Sequence, residues 1–183
     1  MSLVRPQLVR AALALRQAGP AAALVVAALS AFAAPTVHAA SSPRLTAVGL
    51  TPAERHALQW SVGIAAQQLR RPECLKAFAE FRLEDGSTPL QRLEATGLTA
   101  DAFLATLEWE SGASSGRCAP GALLATVRNG RRVSVCPGFA KAVASQPAFG
   151  ATLVIHEQLH ALGLGENPPT STYITTRVYH RCR

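Results

Sequence analysis

Apolar positions along the chain follow two different periods. From Thr51 onward Leu58, Val62, Ala65 and Leu69 recur at three- and four-residue intervals, the period of a helix with one face in a core. Thr51, Pro52 and Glu54 precede them as a capping box with a proline start, so the spacing predicts a helix running to about residue 71. A shorter helix is predicted over residues 73–81, stopped by Asp85-Gly86. Thr88-Pro89-Leu90-Gln91 repeats the start signal and Gly97 supplies a stop. Thr99 then opens a further helix, TADAFLATLEWE. After the loop SGASSGRCAPG the period changes. ALLATVR and RRVSVCP flank Asn129-Gly130, a strong hairpin signal because both residues tolerate a positive φ.

Helical spacing returns after Gly138, with a short helix leading to Pro147 and a longer one from about residue 148 to 162. Asn167-Pro168-Pro169 forbids its continuation, and Ser171 or Thr172 can cap a last helix through Val178. Helices, then a hairpin, then helices read as α+β and not as alternating βαβ units. The expectation is one small, mostly helical domain with a β-hairpin or small antiparallel sheet ahead of the last long helix.

The first 39 residues stand apart. Arg5, Arg10 and Arg16 give a basic start with no acidic residue, residues 21–34 are an apolar stretch, and Val37-His38-Ala39 is a small-x-small cleavage site before Ala40. This is the layout of a secretory signal peptide, which makes residues 1–39 a leader and residues 40–183 the domain. The apolar stretch is too short to span a membrane, so no stable insertion is expected once the leader is removed. The chain would then be exported, to a periplasm or beyond, and is expected to be monomeric.

Charge changes the picture little. The whole chain carries a formal +7, but residues 40–183 hold 15 basic against 11 acidic residues, a balance of +4. Arg128, Arg131 and Arg132 crowd around one predicted turn, which reads as a solvated turn, and no nucleic-acid partner is expected. The four cysteines, Cys74, Cys118, Cys136 and Cys182, contain no CxxC pair. Two disulfides follow for an exported chain, with three possible connectivities. Cys118–Cys136, bracing the hairpin, and Cys74–Cys182, tying the first half to the tail, are the pairing expected here.

The chemistry concentrates in LVIHEQLHALGLGENPPTS, where a very apolar helix holds His156, Glu157 and His160. Unpaired, these groups would be costly to bury. On a helix the two histidines lie one turn apart and point the same way, with Glu157 about 100° round. Two imidazoles on one face suit one metal ion, Zn²⁺, with the adjacent carboxylate reaching the attacking water.

HEQLHALGLGE resembles the zincin metallopeptidases, and within them the extended metzincin pattern HExxHxxGxxH. The phrase LGLGENPP also resembles small exported bacterial HExxH proteins. The resemblance implies a zincin-like catalytic domain in which His156 and His160 are zinc ligands and Glu157 is the general base. Gly163 stands at the glycine position, and Glu166 occupies the third-ligand position where most metzincins have His. No Asp or Glu follows Glu166, and His180 is the one later histidine, so His180 is the alternative ligand. The chain departs from the metzincins in lacking a Met-turn, since Met1 is its single methionine. Tyr173 and Tyr179 could donate hydrogen bonds to a tetrahedral intermediate. The function implied is zinc-dependent hydrolysis of peptide bonds in a peptide or protein substrate, which could add as a strand along RRVSV. Two alternatives share these residues: a non-catalytic exported zinc-binding or interaction protein, and a cell-wall peptide amidase.

Overall fold

The computed structural model describes residues 45–113 and 115–183; the expected leader lies outside the described residues. Four strands, β1 (Thr46–Val48), β2 (Glu108–Ser111), β3 (Leu124–Thr126) and β4 (Arg132–Val135), form one sheet in the order β1-β2-β4-β3. Seven helices surround it among the described residues: α1 (Pro52–Leu69), α2 (Pro72–Glu80), α3 (Pro89–Ala95), α4 (Ala100–Leu104), α5 (Phe139–Val143), α6 (Pro147–Ala161) and α7 (Ser171–Cys182). The class is α+β, as expected from the sequence.

The helix starts follow their capping chemistry. Thr51 accepts from the Glu54 N–H while the Glu54 carboxylate takes the Thr51 N–H at 2.9 Å, and Thr88 and Gln91 repeat the exchange. Each box satisfies two amides that a helix start leaves without partners.

Three expectations need correction. TADAFLATLEWE is helical only to Leu104, and its end is β2. Trp109 is buried between outward-facing Glu108 and less buried Glu110, an alternation too short to stand out from helical spacing. The sheet is mixed: β2 pairs in parallel with β1 and with β4, and only the β3–β4 hairpin is antiparallel. Consequently RRVSV, in β4, is not an edge, because β2 occupies one side and β3 the other. The edge strands are β1 and β3. The last helix, third, is capped by Thr170 and runs on to Cys182, so that His180 lies within it.

α6 is the centre of the domain. Val154, Ile155 and Leu159 are fully enclosed by α1, α7 and the sheet. Its close approach to α1 depends on Gly150, where a Cβ would collide with Ser61 Oγ and come to 3.1 Å of Val143 Cγ1. Both expected disulfides are formed. Cys74–Cys182 fastens α7 to α2, and Cys118–Cys136 fastens the loop after β2 to the end of β4. That loop starts at Gly112, where a Cβ would collide with Cys118 Sγ and sit 3.0 Å from the Val135 carbonyl. Among the described residues no helix is long and apolar enough to cross a membrane.

Candidate metal centre

α6 ends in a way that builds the site. The Gly163 N–H donates to the His160 carbonyl at 2.9 Å, and the Leu164 N–H to the Leu159 carbonyl at 3.0 Å. This paired pattern is a Schellman ending, which requires a left-handed residue after the helix; Gly163 supplies it with φ +105°. The hairpin turn docks on the same spot, with the Asn129 N–H donating to the His160 carbonyl at 3.0 Å. A Cβ on Gly163 would sit 2.7 Å from Asn129 Oδ1, so both conformation and space select glycine there.

The reversal carries Glu166 back over the histidines. His156 Nε2 and His160 Nε2 are 2.9 Å apart, and Glu166 Oε1 lies 3.4 Å from the first and 3.3 Å from the second. Ligand atoms of all three fall within 4.8 Å of one another, so His156, His160 and Glu166 form a group that can hold a metal ion. The remaining ring nitrogens are already engaged. His160 Nδ1 is 2.7 Å from the Leu164 carbonyl, which can only accept, so Nδ1 carries the proton and Nε2 presents a lone pair. His156 Nδ1 is 2.9 Å from Thr175 Oγ1 on α7. Burial, reinforced by the neighbouring His160, lowers the His156 pKa to about 4, which keeps its imidazole neutral at physiological pH. Two buried imidazoles and one exposed carboxylate that closes over them are a suitable donor set for a metal ion such as zinc.

Glu157 is not part of that group. It is buried beneath the cleft, and burial pushes its carboxyl up to about 7 against the pull of His160. The Thr126 hydroxyl and amide in β3 also hold it down, but Glu157 Oε2 and Thr126 Oγ1 both lack a partner of good hydrogen-bond geometry among the described residues. Glu157 therefore borders the cleft beside the two histidines with one carboxylate oxygen unpartnered among the described residues. The cleft itself measures about 1040 Å³ and is walled by β3, by the Gly165–Pro168 turn and by the first turns of α7.

Not every expected residue is there. Tyr173 is 53% exposed and stacks edge-on against Phe81, and Tyr179 is 42% exposed beside Arg183; neither lines the cleft. His180 points to solvent from α7 and is absent from the metal group. The α7 residues that do line the cleft are Ser171, Thr172, Thr175 and Thr176, all in its first turns, whereas Tyr179 and His180 follow Thr175 and Thr176 one turn farther along the helix. Thr175 was not foreseeable as a partner of His156. Its threonine spacing on α7 is visible in the sequence, but the packing of α7 on α6 is not. Thr175→Val is expected to weaken metal binding about tenfold with the fold retained, and Thr175→Ser to restore it, measured by competition with a chromophoric chelator. Comparison with family models, with curated proteins and with solved structures gave no match.

Proposed function

We propose that the protein is an exported zinc peptidase of the HExxH type, in which His156, His160 and Glu166 hold the metal and Glu157 is the general base. One observation carries the reading: the Gly163 turn returns Glu166 to within 3.4 Å of both histidine Nε2 atoms while leaving Glu157 outside the ligand group. Three protein ligands with a fourth position open is the pattern of catalytic zinc, whereas structural zinc is closed by four. Zinc bound there would acidify water and polarise a carbonyl.

The chain's own residues supply the rest. Glu157 accepts the proton of the attacking water and passes it to the leaving amine. The hydrogen bond that His160 Nδ1 donates to the Leu164 carbonyl and the contact of His156 Nδ1 with the Thr175 hydroxyl fix the imidazole orientations. Among the described residues the outer edge of β3 has no strand partner and borders the cleft, so an extended peptide can pair with it there. Two disulfides and the basic, apolar leader motif support export to an oxidising compartment.

The test is metal content together with hydrolysis of an unfolded protein substrate. About one zinc per chain is expected, with chelator-sensitive cleavage. His156→Ala and His160→Ala should each abolish stoichiometric binding, and Glu166→Gln should weaken it about tenfold or more because an anionic ligand is lost. Full zinc retention in either histidine variant would refute the ligand assignment. Zinc binding without any cleavage would leave a non-catalytic zinc protein.

A further inference from the structure

The cleft carries charge that the metal chemistry does not use. Outside His156, Glu157, His160 and Glu166, its charged lining consists of Arg82, Arg117 and Arg128 against one carboxylate, Glu84. Arg82 lies in the extended segment after α2, between buried Phe81 and Leu83, so its side chain is turned outward over the cleft. It has no carboxylate partner among the described residues. Arg128 follows β3 and reaches the ligand turn, its Nη1 lying 3.5 Å from where a Gly165 Cβ would be. Its partner Glu84 is 78% exposed, so that ion pair is worth little and Glu84 can yield the guanidinium to a better-held anion. Arg82, Glu84 and Arg128 stand at the ligand-turn end of β3, because Leu83 packs 3.5 Å from the Gly163 Cβ position. Arg117 stands in the loop that leads into the other end and is tied to Glu110 at 2.8 Å.

We propose that Arg82 and Arg128 form a carboxylate-recognition subsite at the ligand-turn end of the cleft, selecting peptides that present an anionic group one or a few residues from the bond above the metal group. The inference rests on the peptidase reading and names its substrate class. A guanidinium is suited to this task because its planar fork meets a carboxylate through two parallel N–H···O bonds. With zinc bound, the charges of Glu157 and Glu166 are compensated, and the field over the rest of the cleft is set by the arginines. The carboxylate could belong to an Asp or Glu side chain or to a peptide C-terminus, and the structure offers the same donors to both.

The experiment measures binding, by calorimetry, to zinc-loaded Glu157→Gln protein, in which turnover is blocked. The probes are an acetylated, uncharged hexapeptide amide, the same peptide as a free acid, and versions with Glu in place of Gln at each position in turn. At least one carboxylate form should bind about tenfold tighter than the uncharged amide, and which form does so separates side chain from terminus. Adding Arg82→Gln and Arg128→Gln should bring that ratio close to one, whereas Arg70→Gln, remote from the cleft, should preserve it. High salt should shrink the preference. Equal affinity for charged and uncharged peptides, a ratio unchanged in the arginine variants, or no peptide binding at all would overturn the subsite. Cleavage of the uncharged peptide by the unsubstituted zinc protein is scored separately. Cleavage without carboxylate preference removes the subsite and leaves the peptidase, while carboxylate binding without cleavage does the reverse.

Discussion

Glu157→Gln is expected to keep zinc and fold and to lose about a thousandfold in peptide hydrolysis. The amide has nearly the shape of the carboxylate, so packing under the cleft is preserved, but it cannot accept a proton from water. The same substitution has a second signature in the metal-free chain. Burial raises the folded pKa of Glu157 to about 7 from an ordinary 4.5. Between those values the folded chain keeps a proton that the unfolded chain has released, so this contribution to stability is whole below 4.5 and is lost as pH rises through 7. His156 acts in the opposite sense: its folded pKa is about 4 against 6.5, so its contribution is present above 6.5 and lost as pH falls through 4. The difference between Glu157→Gln and the unsubstituted chain cancels the His156 contribution. Without metal, Glu157→Gln should therefore be the more stable protein at pH 8, on the order of a few kcal/mol, with a smaller advantage at pH 5. Urea unfolding at the two pH values checks the sign, and a substituted protein that hydrolyses like the original would remove Glu157 from the mechanism.

Removing the Cys74–Cys182 bridge should cost roughly 3–5 kcal/mol, the largest stability loss expected here. The two cysteines are 108 residues apart, so the bridge closes most of the domain into one loop, and the entropy it takes from the unfolded chain is correspondingly large. Both are fully buried, and they hold the end of α7 to α2, helped by Arg177 and Arg181 on Glu80. Cys118–Cys136 spans 18 residues, and its loss should cost less. Denaturant midpoints of Cys74→Ala/Cys182→Ala and Cys118→Ala/Cys136→Ala would show this order. Because α7 also carries Thr175, the first pair of substitutions should weaken zinc binding as well, and the second should not. Equal loss of zinc in both would break the link between α7 and His156.

Much of this could be read from the residues in order. Capping boxes at Thr51 and Thr88, the Asn129-Gly130 turn and the apolar helix carrying His156 and His160 are local signals, because the partners that satisfy them lie within a few residues. Glu166 was legible for the same reason, lying just past a glycine turn. The rest depended on distant contacts. β1 and β2 are short, and their strand character comes from parallel pairing across the chain, β1 with β2 and β2 with β4, which no local period announces. The placement of RRVSV at an edge failed with them, since a hairpin alone has two edges and only the arrival of β2 fills one. Residue type alone points to the tyrosines and His180, but only the first turns of α7 border the cleft, which brings Thr175 to His156 and leaves Tyr179 and His180 one turn beyond it.

Gly112 turns a structural detail into a statement about descent. A side chain there would occupy the volume of Cys118 Sγ, so the bridge and any larger residue at 112 exclude one another in this backbone. In a lineage that shares the fold, a glycine at 112 should be lost only together with, or after, the pair at 118 and 136. A relative keeping both cysteines and a bulkier residue at 112 would have to have rebuilt the start of the loop that joins β2 to β3. Three positions that look unrelated in the sequence should thus change as one character.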